Sequence, residues 1–410
     1  MQFDLNHPLF TRAFPVMDLI EQAGYEVYFV GGCVRDTILG RPIHDIDLAS
    51  SARPEEIEAL FHHTIDLGKE HGTIIVIYQG QNFEITTFRT EGSYSDFRRP
   101  DSVAFVRNLA EDTLRRDFTI NALAFNRHGE LFDYHQGLQD LKNHKIRAVG
   151  LASERFNEDA LRMLRAIRFS SELGFDIDPL TFEAISQQKE KLAYLSRERI
   201  RVEFTKFLRG AYFYQRAQTI VESGLWDYLP EIKYVTQPKG MDRLQNWLKP
   251  VNQQEGQVSE SLIWALYTLA VGIETQHLAT YLKAWTHSKQ LIYDVIEIRQ
   301  LLPKMIEHEL GTMDLYLANH DLLLEIEAYL TYHYPKQNYH IAERIKQLAI
   351  QNRQEMAING HDIMTILQLT KGGPMIGQLM AEIERKILYH ELENTYPALE
   401  AYIRTKGPLR

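Results

Sequence analysis

Phe29-Val30-Gly31-Gly32-Cys33-Val34-Arg35-Asp36, followed by Asp45-Ile46-Asp47-Leu48-Ala49, decides the fold of this chain. Val27–Val30 reads as a short buried strand, Gly31-Gly32 as a turn, Val34–Leu39 as a helix and Asp45–Ala49 as a second strand. Two residues apart on a strand, Asp45 and Asp47 leave from one face. Carboxylates so placed repel unless a cation sits between them. Mg²⁺ resolves this with one or two carboxylates plus substrate phosphates. Gly31-Gly32 lets backbone amides approach a phosphate with no Cβ in the way, and Arg35 adds a forked donor. An Asp-x-Asp alone is most often a solvated strand edge; strand, Gly-Gly, helix and strand together are far more specific. Glu84, between apolar neighbours, offers a third carboxylate, although an exposed strand residue reads the same way.

Further elements extend from this nucleus. Pro54–Phe61 reads as a helix opened by proline. Thr73–Tyr78 and Asn82–Arg89 form a hairpin across Gln79-Gly80-Gln81. Val103–Val106, Glu130–Tyr134 and Ile146–Val149 read as strands, and Leu109–Phe125 holds helical patterns. After Ser153 the strand signals stop, giving an α+β head and a long helical remainder.

Arg155–Phe169 is the richest stretch of that remainder. Read as one helix, it puts Phe156, Ala160, Met163, Leu164 and Ile167 in an apolar arc. Asp159, Arg162, Arg165 and Arg168 step by three around the other side. A solvated face is the bland reading. Regularly spaced arginines without matching acids C-terminal to them suit a triphosphate clamp better. Arg115-Arg116-Asp117 adds basic character, and Ser196–Glu203 reads equally as salt-bridging or RNA contact.

Composition sets the limits. The 410 residues are 44% hydrophobic and 24% charged, as in a globular protein of about three domains. The longest notable uncharged run, Ser261–Ile273, is too short for a membrane span, which needs about 20 residues. The beginning, Met1-Gln2-Phe3-Asp4, lacks the features of a secretion signal, and a single cysteine fits a reducing cytoplasm. Net charge is −10, yet residues 142–209 carry fourteen basic and ten acidic groups, a weak sign of polyphosphate or RNA in one groove. There is no P-loop: Gly68-Lys69-Glu70 fails the pattern. Cys33 reads as packing, and His320-Asp321 and His361-Asp362 lack the partners of a metal dyad.

These residues resemble those of bacterial class II CCA-adding enzymes, tRNA nucleotidyltransferases of the polymerase-β superfamily. The resemblance runs in order through Gly31–Asp36, Asp45-Ile46-Asp47, Arg115–Ala122, Asp133 through Gly137 to Asp140, Glu158–Arg162 and Ser196–Glu203. It covers roughly residues 25–210, with a looser likeness at Ile358–Asp362. Cys33 departs from the family's usual alanine. The resemblance implies an α+β nucleotidyltransferase head followed by an all-α neck, body and tail in an elongated, curved molecule. The divisions expected are 1–153, 154–210, 211–305 and 306–410. It implies catalysis and Mg²⁺ at Asp45 and Asp47, and CTP and ATP against Gly32, Arg35, Arg116, Asp159, Arg162, Arg165 and Arg168. The expected product is the C-C-A end of tRNA, made in the cytoplasm without a membrane partner. Thr90–Pro100 resembles the flexible loop of full CCA enzymes, which distinguishes this reading from a CC-only relative. A poly(A) polymerase shares the same core. A small-molecule nucleotidyltransferase would not need the long helical remainder.

Overall fold

A computed structural model of the chain describes residues 3, 5–92, 102–237, 239–253 and 258–406. Residues 93–100 of the expected loop lie outside them. The chain forms two compact units, Met1–Asn252 with Ala284–Thr286, and Gln253–Lys283 with His287–Arg410.

The first unit opens with helix α1 (Pro8–Gln22), strand β1 (Val27–Val30), helix α2 (Gly32–Ile38), strand β2 (Asp47–Ser50) and helix α3 (Pro54–Leu60). Strands β3 (Thr64–Gly68), β4 (Thr73–Tyr78) and β5 (Gln81–Thr87) follow, then β6 (Arg89–Glu91) and β7 (Val103–Phe105), which pair with each other. Helix α4 (Leu109–Thr113), strands β8 (Leu123–Phe125) and β9 (Leu131–Asp133) and helix α5 (Gly137–Lys142) complete the sheet region. Seven strands run in the order β3-β4-β5-β2-β1-β8-β9. Only β2 and β5 pair in parallel, and that register sets Asp47 beside Glu84. On its other side Asp47 pairs with Val30, which leads directly into Gly31. The sheet therefore gathers the glycine turn and two carboxylates at one end. Helix α1 covers the sheet through Phe10, whose ring packs edge-on against Phe29 at 4.8 Å.

Several expectations need correction. Strand β2 begins at Asp47, so Asp45 and Ile46 form its lead-in rather than part of the strand. The strand expected through Arg89 ends at Thr87, and Arg89 starts β6. Leu109–Phe125 is not helical throughout: it holds α4, a 3₁₀ turn over Thr119–Asn121 and then β8. Leu123-Ala124-Phe125 is buried and pairs with β1, so tertiary pairing outweighs local helical pattern there. The sequence reading lacks strand β3: Thr64-Ile65-Asp66-Leu67 does alternate, but the run is short and forms a sheet edge on which Ile65 and Leu67 stay exposed. Of Ile146–Val149 only Ile146 is in a strand, β10 (Lys145–Ile146). Its parallel partner β11 (Asp176–Ile177) lies beyond Ser153, where no further strand was expected.

Arg155–Phe169 does not form the single helix expected. It is two helices, α6 (Ala152–Glu158) and α7 (Leu161–Leu173). Asp159 between them is extended, with φ −135° and ψ 104°, and its Oδ1 accepts from the Leu161 amide at 3.0 Å. The apolar arc stays in phase across the break, so periodicity cannot see it. The sequence does hold a signal: Asp is among the residues most suited to starting a helix. Helix α8 (Pro179–Gln188) and helix α9 (Arg197–Arg209) follow, and α9 packs along α7.

The second unit is helical among its described residues. Ile363, Ile383, Leu399 and Ile403 are fully buried in its core. Buried Glu384 accepts from Tyr316 Oη at 2.5 Å and from Arg353 Nε at 3.0 Å, tying three segments together. His361 and Asp362 open the helix Gly360–Ile366: Asn359 accepts from both their amides, and Asp362 accepts from the Asn359 amide. Asn359 and Asp362 thus form a capping box, which occupies the Asp362 carboxylate in starting the helix. No helix among the described residues is long and apolar enough to cross a membrane.

Gly31 has φ 73° and ψ −130°, a conformation that side-chain-bearing residues rarely adopt. Replacing Gly31 with Ala should destabilise the first unit by about 1–3 kcal/mol, read as a lower urea midpoint. An unchanged midpoint would show that the turn tolerates a Cβ.

Candidate active site

The end of the sheet holding Gly31, Asp45 and Asp47 opens into a cavity of about 550 Å³. All nine residues expected at the site line it: Gly32, Arg35, Asp45, Asp47, Arg116, Asp159, Arg162, Arg165 and Arg168. Arg115, Asp117, Asn121, Phe169, Glu172 and Arg199 also line it. Seven arginines face five carboxylates around the wall, which suits a polyanion.

Each arginine is held by partners of its own. Arg35 donates to Asp36 at 2.8 Å and to Asn121 Oδ1 at 2.8 Å. Arg116 pairs with buried Asp112 at 3.1 Å. Arg162 pairs with Glu158 at 2.5 Å and donates to the Arg115 carbonyl at 2.7 Å. Arg165 donates from Nε to Asp117 at 2.8 Å. Arg168 lies 3.0 Å from Glu203 and 3.7 Å from Glu172. The arginine face is thus not short of acids, contrary to the sequence reading. Glu172 follows Arg168 by four residues, and Asp117 and Glu203 arrive from other segments. Arg162 and Arg168 are buried, at 8% and 7% exposure, so the face is neither solvated nor free.

Asp159 and Arg162 both reach the cavity, but not as neighbours on one helix face. Asp159 Oδ2 accepts from Arg199 Nη2 at 2.7 Å, while Arg162 turns to Glu158. Arg199 is therefore a site-lining residue that the sequence reading left undecided between salt bridge and RNA contact. Its role depends on α9 lying against α7, which spacing cannot reveal. Asp133 caps α5, accepting from the Gly137 and Leu138 amides at 2.9 and 3.0 Å. Asp140 takes Thr119 and Arg147, so this part of the family-like pattern is structural.

Asp47 is open to the cleft, yet its carboxyl is pushed up to about 6. The surrounding protein contributes most, then the charges of Asp45 and Glu84, with Arg116 opposing them. Water in the cleft softens the first cause, so the like charges are the firmer one. Among the described residues no group of three or more His, Cys, Asp and Glu side chains converges tightly enough to hold a metal ion. Asp45 and Asp47 instead form the open, oxygen-only pair that suits Mg²⁺ completed by substrate phosphates. Glu84 lines a second cavity of about 360 Å³ that shares only Asp45 and Asp47 with the first. Cys33 is buried and its thiol is pushed up to about 12, chiefly by that burial. Its Sγ donates to the Val30 carbonyl at 3.2 Å, as a packing role requires.

The comparisons with known proteins agree across the chain. Residues 27–147 match the family model of the poly A polymerase head domain, and residues 257–403 that of tRNA nucleotidyltransferase domain 2. Residues 174–235 match the model described as "Probable RNA and SrmB- binding site of polymerase A". The CCA-adding enzyme of Levilactobacillus brevis is 41% identical over 395 residues, covering 96% of this chain and 97% of that protein. That of Enterococcus faecalis is 41% identical over 402 residues, covering 97% of each. The crystal structure of the Bacillus stearothermophilus CCA-adding enzyme in complex with CTP superposes with a TM-score of 0.86 at 33% identity, covering 97% of this chain and 98% of that one.

The Asp117–Arg165 pair ties the stability of the first unit to pH. Burial would raise the Asp117 carboxyl, but Arg165, Asn121 and Arg162 hold it down at about 2. A depressed folded value means the stabilisation is complete above the unfolded value of about 3.9 and is lost as pH falls toward 2. Asp117→Ala should cost roughly 2–3 kcal/mol at neutral pH, the low side for a buried pair because Arg165 stays 32% exposed. Denaturant titrations at pH 7 and pH 3 should show a smaller difference between variant and parent at the lower pH. Equal differences would mean that the pair carries no net charge coupling.

Proposed function

The chain belongs to the CCA-adding enzymes, and on that premise we propose that it adds the 3′-terminal C-C-A to tRNA from CTP and ATP, by in-line nucleotidyl transfer that releases pyrophosphate. The observation that carries the reading is the meeting of Asp45, Asp47 and the arginine wall in one cavity. Two Mg²⁺ ions held by Asp45 and Asp47 with substrate phosphates would supply activation of the attacking hydroxyl and charge neutralisation of the leaving pyrophosphate. Arg35, Arg116, Arg165 and Arg168 grip the triphosphate, with Gly32 keeping the approach clear. An in-line attack needs the acceptor hydroxyl to come from the side away from the leaving group. The second cavity, beside Glu84, meets the first at Asp45 and Asp47, and we assign it to the tRNA 3′ end on that adjacency. We retain residues 1–153 as head, 154–210 as neck, 211–305 as body and 306–410 as tail, acting on tRNA in the cytoplasm.

Base choice follows from hydrogen-bond pattern. Cytosine and adenine each present a ring-nitrogen acceptor beside an exocyclic amine donor; guanine and uracil present a ring N–H beside a carbonyl. Asp159 accepts from the amine and Arg162 donates to the ring nitrogen. Arg199 holds the carboxylate and Glu158 the guanidinium, so both are set before a base arrives. A wrong base leaves a buried group unpaired at roughly 1–3 kcal/mol, about fivefold to a hundredfold in selectivity for each such group.

The reading is tested with tRNA transcripts ending before C74, after C74 and after C75, each offered the four nucleoside triphosphates singly with Mg²⁺. CTP alone should extend the first two and ATP alone the third. Repeated addition of A would indicate a poly(A) polymerase instead. Asp45→Ala or Asp47→Ala should abolish both C and A incorporation while tRNA still binds in a filter assay. Near-parental incorporation by either variant would remove the metal assignment. Asp159→Ala and Arg162→Ala should weaken CTP and ATP use and raise relative acceptance of UTP or GTP, whereas Arg165→Ala and Arg168→Ala should weaken all four alike. Unchanged preference in both of the first pair would place base selection elsewhere.

A further inference from the structure

Helix α7 carries one large aromatic residue on its charged side. At about 100° per residue, Phe169 falls between Arg162 and Arg165 in angle, away from Met163, Leu164 and Ile167. Yet it is only 4% exposed. Its ring is surrounded by guanidinium groups from two helices. The Cζ atoms of Arg168, Arg35 and Arg165 lie 4.0, 5.1 and 5.4 Å from its centroid. All three are within the ~6 Å over which a ring quadrupole attracts a cation. The ring is itself fixed: fully buried Phe118 meets it edge-on at 5.8 Å and 85°.

We propose that Phe169 is a positioning residue for the triphosphate of the incoming nucleotide, acting as an uncharged common seat for Arg35, Arg165 and Arg168. The inference rests on the reading of this cavity as the CTP and ATP site and goes beyond it by naming what keeps its cations together. Three like charges converging on one small volume repel one another. Carboxylates oppose that repulsion, and each arginine has one or more polar partners, but every added carboxylate also repels a polyanionic ligand. An aromatic face opposes the repulsion at no cost in net charge. Asp36, Asp117, Glu172 and Glu203 take some of the N–H groups of the three arginines. The ring supplies the remaining attraction while the cavity stays positive.

The cations seated on the ring are the three assigned to phosphate, Arg35, Arg165 and Arg168, so its effect should fall on phosphate affinity and not on base choice. Such an interaction is present before and during transfer, and its loss raises the KM for nucleotide more than it lowers kcat. The experiment replaces Phe169 by 4-fluoro-, 3,5-difluoro- and 3,4,5-trifluorophenylalanine, which keep the shape and progressively weaken the quadrupole. KM for CTP and for ATP should climb together, by about tenfold over the series. The inhibition constant of inorganic pyrophosphate should climb with them, while KM for tRNA and the preference for C and A over U and G hold. Phe169→Leu should match the trifluoro protein, and Phe169→Tyr should restore near-parental KM. If Phe169→Leu does not fold, the fluorinated series still decides the question. Flat KM values across that series would overturn the proposal and leave the ring as packing. A parental enzyme that uses neither CTP nor ATP would defeat the underlying functional reading, a result distinguishable from a flat series.

Discussion

Mutual repulsion among guanidinium groups is the constraint on which the site depends. Seven arginines around one cavity would push apart the helices that carry them unless each were anchored. The anchors come from several parts of the first unit. Asp117, just before the 3₁₀ turn at Thr119–Asn121, holds Arg165 of α7; Glu203 of α9 holds Arg168; Glu158 of α6 holds Arg162; and Asp159, between helices, is held by Arg199 of α9. These ion pairs therefore do two things at once. They dock α7 against the sheet region and α9, and they leave guanidinium groups pre-set for an anion. Little side-chain ordering remains to be done when a triphosphate arrives, which favours binding.

The carboxylate end of the cavity has the opposite character. Asp45 and Asp47 repel each other, and the parallel register with β5 brings Glu84 into the same neighbourhood. Arg116 offsets these charges only in part, so the Asp47 carboxyl stays raised. A polycationic wall therefore meets an under-neutralised acidic pair inside one cleft. In the function proposed, a nucleoside triphosphate with divalent cations would satisfy both ends at once: phosphates for the wall, cations for the pair. This division of charge, more than any single residue, is what the proposed function rests on.

Much of this was legible in the sequence because its signals are local. Strand, Gly31-Gly32, helix and Asp-x-Asp lie within about twenty residues, and their order constrains the turn, the face and the chemistry together. What was not legible is non-local. Strand β8 is a strand because β1 accepts it, and β3 is a short edge whose alternating Ile65 and Leu67 are left exposed. The break at Asp159 hides because the apolar arc stays in phase on either side, and with it fell the argument that Asp159 and Arg162 share a helix face. Arg199 sits in an Arg-Glu-Arg-Ile-Arg run whose members cannot be ranked until α9 is docked. Phe169 was readable in principle, as an aromatic residue out of phase with the apolar arc.

The central claim is that one cavity holds the triphosphate on arginines that ignore base identity and reads the base with separate groups. Competition at equilibrium tests it most directly, with fluorescently labelled CTP, Ca²⁺ in place of Mg²⁺ and no tRNA. The account predicts that CTP, ATP and inorganic triphosphate each displace the probe completely, with UTP and GTP weaker than CTP by about tenfold or more. Failure of inorganic triphosphate to displace the probe, or equal displacement by all four nucleotides, would contradict it.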